Sequence, residues 1–412
     1  MTEPPGPAGN HGLGPATGPA HRWPDMDANN VFRGHGMGKD LVEPDWPPLT
    51  DGEVGAVLAR YGRPVGAAAV RWRSPRPMSA AALVGGDGGE VFVKRHHTLV
   101  RTAAQLGAEH ALADHLRALG VAVPAVLPLP GGGTTVTSGD YVYEVHAPAG
   151  GIDLYRDVLS WEPFTSVRHA RAAGAALARF HGASASFGRP ERPPGVLTSS
   201  CAVITAADPL AAVGRLAARR PGLAGYLDRR HWREDLTRYH LPAIRHVAPL
   251  LPGLRRLWGH GDWHPSNLTW TSASPDADVS AVIDLGLANR TFAAHDLAVA
   301  IERSAVAWLD LAGTGQAGVD SCAVDALLDG YQTVRPLTRA ELAAVAGLLP
   351  VVHLEYALSE VEYFASVVCS PENADLAYDG YLIGHARWFT GPDGRALLSH
   401  LQRRADRQPA VP

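Results

Sequence analysis

Residues 258–267 read Trp-Gly-His-Gly-Asp-Trp-His-Pro-Ser-Asn, and Val-Ile-Asp284-Leu-Gly follows after a short loop. The first stretch sets His260, Asp262 and Asn267 in an H-x-D-x-x-x-x-N pattern. Asp262 and Asn267 lie five residues apart on one loop, and Pro265 stiffens the turn between them, so both side chains can face one cleft. Trp270 and the pair Val282–Ile283 read as buried strand residues flanking that loop. A hairpin closed by Thr271 and Asp278 would return the chain and bring Asp284 beside Asn267. Phosphoryl transfer from ATP needs such a set: an aspartate that takes the proton of the attacking hydroxyl, and an asparagine and a second aspartate that hold magnesium. Magnesium suits these oxygens because it keeps several waters and takes only one or two carboxylates besides phosphate oxygens. Asp262 is therefore expected as the base, and Asn267 and Asp284 as metal ligands.

A rival reading groups His260, Asp262 and His264 as an H-x-D-x-H zinc cluster completed by His295 and Asp296. It leaves Asn267 without a task. The kinase reading also makes demands elsewhere in the chain. It requires a lysine at a strand end, and Glu90-Val-Phe-Val-Lys94 supplies one, after a glycine-rich turn over 85–89 and an apolar run over 80–84 that together read as a β-hairpin. It requires a glutamate on the next helix. Leucines at 106, 112, 116 and 119 predict a helix over 103–119, with Glu109 in its middle.

On these residues the chain resembles the aminoglycoside phosphotransferase and choline kinase family, the small-molecule branch of the protein-kinase-like fold. Ala175-Ala-Leu-Ala-Arg-Phe-His-Gly182 resembles the helix end that precedes the family's catalytic region, and Ala294-His-Asp296-Leu-Ala298 its D-L-A motif. The resemblance implies an α+β bilobal architecture: a small N-lobe with an antiparallel sheet and a helix, and a larger, mostly helical C-lobe. It divides the chain into a Pro/Gly-rich segment 1–48, an N-lobe 49–146 and a C-lobe 147–412. It implies ATP and Mg2+ as cofactors and a small-molecule hydroxyl acceptor such as an aminoglycoside, amino sugar or amino alcohol. Lys94 would reach the phosphates with Glu109 holding it, and adenine would bond to backbone groups near Glu144 and His146. His260 would brace the loop and Asp296 would steady it. A bacterial Ser/Thr protein kinase of the same fold and a non-catalytic nucleotide-binding module are the alternatives. The loop over 73–80 lacks G-x-G-x-x-G and leaves Ser79 as a candidate phosphate donor; the pair His96-His97 has no role that the resemblance supplies.

Composition narrows the classes. The 412 residues can bury a full core, and the formal net charge of -4, with no long basic run, argues against nucleic acid. No apolar run is long enough for a membrane span. Cys201, Cys322 and Cys369 are scattered, so neither a disulfide framework nor a zinc site is expected, and a reduced cytoplasmic protein is. The segment 1–48 lacks the pattern of a secretory signal and is expected to be largely disordered, with Asn30–Trp46 able to pack on the N-lobe. Thr50-x-x-Glu53 is a capping box opening a helix to about Tyr61. Further helices are expected over 166–184, 208–219, 226–250, 294–312, 320–333, 338–349, 351–368 and 374–400. On the 351–368 helix, Glu355, Tyr356, Ser359, Glu362 and Tyr363 could form a substrate wall, with the two glutamates meeting a cationic amine.

Overall fold

The protein is described here by a computed structural model covering residues 32–63, 68–86 and 88–409. The expectations for residues 1–31 lie outside the described residues. Residues 33–48 are structured, and Trp46, in the stretch read as able to pack, lies against the core of the sheet that follows. They form a short hairpin, β1 (Gly34–His35) and β2 (Leu41–Val42), then run to Trp46, which stacks on His97 at 4.9 Å. Polar anchors tie the segment down: Tyr363 donates to Asp45 at 2.8 Å and Lys39 pairs with Asp310 at 2.5 Å.

Helix α1 (Asp51–Arg60) starts as its sequence dictates, with the Thr50 hydroxyl accepting from the Glu53 amide at 3.2 Å. The reciprocal half of the capping box does not form, because Arg95 (2.6 Å) and the Tyr143 hydroxyl (2.8 Å) claim the Glu53 carboxylate. Five strands follow among the described residues: β3 (Ala69–Arg73), β4 (Ala80–Gly85), β5 (Val91–His97), β6 (Thr135–Ser138) and β7 (Tyr141–His146). They make one antiparallel sheet in the order β3-β4-β5-β7-β6. Val54 and Leu58 of α1 pack on Ala82, Val93 and Val145 of this sheet. Helix α2 (Ala103–Ala118) follows β5, and its Leu112 and Leu116 belong to the larger core that continues into the helices beyond.

Helix α3 (Val167–Ser184) opens that second part. It is followed by α4 (Pro209–Ala218), α5 (Pro221–Leu227), α6 (Trp232–Tyr239) and α7 (Leu241–Val247). The single helix expected over 226–250 is thus broken. Pro242 lacks an amide hydrogen and sits in the first turn of α7, where none is needed. Two ribbons carry the catalytic motifs: β8 (Arg256–Gly259) pairs with β11 (Asn289–Phe292), and β9 (Leu268–Trp270) with β10 (Val279–Val282).

The helix expected over 294–312 is also split, into α8 (Ala293–Ala305) and α9 (Trp308–Thr314), because Val306 turns extended and bridges Val319. Next come α10 (Ser321–Gln332), α11 (Arg339–Leu348) and α12 (Leu354–Glu362), which runs into a π-helical turn. α13 (Pro371–Asp375), α14 (Ala386–Trp388) and α15 (Pro392–Arg407) close the chain. Helices α3 and α10 meet backbone to backbone. A Cβ on Gly174 would lie 1.9 Å from the Leu327 carbonyl oxygen, and one on Gly330 1.9 Å from that of Arg171. No helix of the described residues is long and apolar enough to cross a membrane.

Candidate active site

The loop between β8 and β9 is held from below by Asp296 of α8. This fully buried carboxylate accepts from the backbone amides of His260 (2.6 Å) and Gly261 (2.7 Å) and bonds His181 at 2.9 Å. Burial pushes its pKa up, but these partners outweigh that and bring it down to about 2. Gly261 is required at its position: its φ is 75°, and a Cβ would sit 2.3 Å from the Leu287 carbonyl oxygen. His260 spans two segments. Its Nε2 donates to the Ile283 carbonyl at 3.0 Å, and its Nδ1 accepts from the Asp262 amide at 3.2 Å. Both ring nitrogens are therefore occupied, which removes His260 from any zinc cluster.

The expected hairpin forms. Thr271 donates to the Asp278 carbonyl at 2.9 Å, Leu268 faces Val282, and the Ile283 amide bonds the Asn267 carbonyl at 3.0 Å. This carries Asp284 to the cleft that Asp262 and Asn267 also line. The Asn267 amide nitrogen donates to Asp262 at its backbone carbonyl (2.9 Å) and its carboxylate (3.0 Å), leaving the Asn267 oxygen for a cation. Asp284 takes the left-handed conformation, φ 58°, with Oδ1 accepting from the Gly286 amide at 3.2 Å and Oδ2 from Lys94 at 3.0 Å. Burial works to raise the Asp284 pKa, yet the adjacent ammonium outweighs it and the net shift is downward. The two Asp284 carboxylate oxygens and the Asn267 amide oxygen fit a hard divalent cation such as magnesium.

Two expected assignments find other partners. Glu109 does not hold Lys94. Two buried guanidiniums take it instead, Arg192 at 2.5 Å and Arg101 at 3.2 Å. Both also donate to the Gly286 carbonyl, at 2.8 and 3.0 Å, so Glu109 braces the turn that follows Asp284. Arg192 sits in a proline-rich loop with no periodicity, so nothing in its surroundings marks it in sequence. Glu144 and His146 do not present free backbone to a nucleotide either. Strand β7 lies between β5 and β6, and Glu144 faces Lys94 on one side and Thr135 on the other. Its backbone is spent in the ladder and its buried carboxylate is ringed by His96, His110 and His146.

The substrate wall is rearranged as well. Glu355 turns inward to the Val203 amide (2.7 Å) and Ser200, Glu362 pairs with Arg220, and Tyr363 holds Asp45. Tyr356 does reach the cleft, together with Glu360 and Arg303, which sequence reasoning passed over. Arg303 of α8 donates to Asp262 Oδ1 and lies against the rings of Tyr356 (4.7 Å) and Trp161 (5.3 Å). Glu360 is buried with its Oε2 unpartnered among the described residues, and burial raises its pKa to about 8. Arg303 is the one arginine of α8, and Glu360 stands between two other glutamates of α12, so nothing in the sequence set Glu360 apart.

The family model described as the phosphotransferase enzyme family matches residues 79–337. The chain belongs to this family. A homoserine kinase of Gluconacetobacter diazotrophicus is 32% identical over 196 residues, 45% of this chain and 50% of that protein. The chain thus spans about half the length of this curated relative. Among solved structures, a microcompartment-associated aminopropanol kinase aligns with a TM-score of 0.51 at 19% identity, covering 85% of this chain and 98% of that one. An amicoumacin kinase in complex with AMP-PNP, Ca2+ and Ami aligns with a TM-score of 0.51 at 14% identity, over 87% and 94%. These likenesses carry the kinase-like α+β fold of the phosphotransferase family.

Proposed function

We propose that this member of the family transfers the γ-phosphoryl group of ATP to the hydroxyl of a small amino-acid-like alcohol. The observation that carries the reading is the pairing of Asp262 with Arg303 at the acceptor end of the cleft, beside the unpartnered Glu360. Asp262 is the base: it orients the hydroxyl and takes its proton. Lys94 positions the phosphates, and Asn267 and Asp284 are the residues that would hold magnesium. When bound, magnesium supplies charge neutralisation at the phosphate oxygens. Adenine falls to the connector that follows β7 rather than to Glu144.

The acceptor chemistry follows from charge. A buried guanidinium on the base would be released to a carboxylate, since planar bidentate recognition is what arginine does best. Glu360, protonated near neutral pH, would ionise to meet an ammonium group. An acceptor carrying hydroxyl, ammonium and carboxylate matches both, and the homoserine kinase relative acts on a compound of that class by its name. Strand β11 begins only five residues after Asp284, which leaves little room for a segment that docks a substrate peptide.

The test is ATP turnover with magnesium against hydroxy amino acids, their decarboxylated amino alcohols, aminoglycosides and a protein substrate, with Asp262→Asn as control. Asp262-dependent transfer to a hydroxy amino acid is the expected result. Transfer only to protein, or nucleotide binding with no transfer to any acceptor, would overturn the reading in favour of a protein kinase or a binding module.

A further inference from the structure

The sequence pair His96-His97, to which the resemblance assigns no role, leads to a second site. On β5 and β7, residues 92, 94 and 96 and residues 142, 144 and 146 alternate onto one face, so Lys94, His96, Glu144 and His146 share it. Helix α2 packs over that face and brings His110. The buried Glu144 carboxylate is met by His110 Nε2 at 2.6 Å and His146 Nε2 at 3.1 Å on Oε2, and by His96 Nε2 at 3.0 Å on Oε1. Ligand atoms of His110, Glu144 and His146 all lie within 4.8 Å of one another. Among the described residues this is the one group of three with that convergence.

The surroundings look built for a ligand set. Thr134 Oγ1 bonds His110 Nδ1 at 2.7 Å, and the Tyr61 hydroxyl fixes Thr134 through its carbonyl at 2.9 Å. With Nδ1 engaged, His110 Nε2 is the nitrogen turned to the centre, and a second partner of this kind is the usual way a metal-bound imidazole is oriented. A tetrahedral zinc ion with Zn–N and Zn–O bonds of about 2.0–2.2 Å places its ligand atoms about 3.3 Å apart. The separations of 2.6 and 3.1 Å need only a small expansion to admit it.

We propose that His110, His146 and Glu144 form a binding site for a divalent transition metal of the zinc class, with His96 beside the open fourth position. Two imidazoles and one carboxylate select such a metal over magnesium, which prefers oxygen alone. The site is separate from the all-oxygen set at Asn267 and Asp284. It would tie α2, and with it Glu109, to the strand that faces Lys94. It does not depend on which acceptor the cleft takes.

Full-length untagged protein, stripped with a chelator, is titrated with Co2+ and followed by visible absorption and calorimetry. The expected result is one Co2+ per chain with a tetrahedral spectrum, displaced by Zn2+ and not by excess Mg2+. Thr134→Val should weaken binding about 10-fold, as loss of an orienting partner does, and His110→Ala should weaken it by about 100-fold or more. With excess Mg2+ present to fill the set at Asn267 and Asp284, Asp284→Asn should leave the tetrahedral Co2+ signal unchanged. Absence of stoichiometric Co2+ binding to the wild type overturns the site. So does binding that survives both His110→Ala and Thr134→Val, or that is lost in Asp284→Asn. If His110→Ala does not fold, as judged by its melting curve, Thr134→Val decides.

Discussion

Asp296→Asn tests whether the catalytic loop is held by one buried charge. The carboxylate takes three bonds, from the His260 amide at 2.6 Å, the Gly261 amide at 2.7 Å and His181 at 2.9 Å. Hydrogen bonds to a charged partner contribute about 1.5–3 kcal/mol each. An asparagine with its oxygen at the Oδ2 position keeps the His260 and His181 bonds and sets its own N–H against the Gly261 amide, so one bond is lost, or about 1.5–3 kcal/mol. Linkage gives a second route. Lowering the pKa from 3.8 to about 2 makes the ionised form worth about 2.5 kcal/mol at neutral pH. Its sign is that of a depressed carboxyl: the stability is fully present above the unfolded pKa near 3.8 and is lost as pH falls through about 2. Between pH 5 and 8 the gap between wild type and variant should therefore be flat. Because the Asp262 amide hangs from His260, a loop shift of about 1 Å should also cost about 100-fold in kcat. Urea unfolding at several pH values and ATP turnover read both effects. A variant within about 1 kcal/mol of wild type, with kcat within about threefold, would refute the reasoning.

Asp262→Asn should retain ATP binding and lose about 10²–10⁴-fold in kcat, checked by turnover alongside nucleotide titration. Arg303→Met should raise the KM for a carboxylate-bearing acceptor by about 10–100-fold and spare its decarboxylated analogue, a split that steady-state kinetics with both compounds detects. Glu360 has a raised pKa, so the folded state keeps a proton that the unfolded chain loses, and stability falls as pH rises from 4.5 towards about 8. Glu360→Gln should accordingly melt higher than wild type at pH 8 while its KM for an aminated acceptor rises; equal melting temperatures would count against the burial of that charge. Gly174→Val should unfold the protein or destabilise it by more than about 3 kcal/mol, because its added carbons meet the α10 backbone; chemical denaturation measures this.

The fold and the centre of the site were legible because local rules and function coincide there. The spacing from His260 to Asn267, the hairpin from Thr271 to Asp278 and the alternation ending at Lys94 all follow from chain-local geometry. What escaped was settled by tertiary competition. Glu109 is the right residue type at the right helical position, but Arg101 and Arg192 outbid Lys94 for it. Glu355 and Glu362 have the spacing of a shared face, yet Ser200 and Arg220 draw them away from the cleft, and Glu360 faces it. Within 1–48 the apolar residues up to Trp46 marked the part able to pack, but not the partners far off in the sequence, Tyr363 for Asp45 and His97 for Trp46. Helix breaks at Val306 and around Pro242 came from a long-range bridge and from proline's missing donor, neither of which a periodic pattern encodes.

The left-handed backbone at Asp284 bears on how its role can be tested at all. Alanine there removes the carboxylate and also forces a methyl-bearing residue into a conformation that costs about 1–2 kcal/mol. An alanine variant would mix lost cation affinity with a loop that refuses its shape. Asparagine tolerates φ near 58° and can still accept from the Gly286 amide. The asparagine variant isolates the charge, and the difference between the two substitutions reads the backbone together with the Gly286 hydrogen bond and the remaining side-chain oxygen.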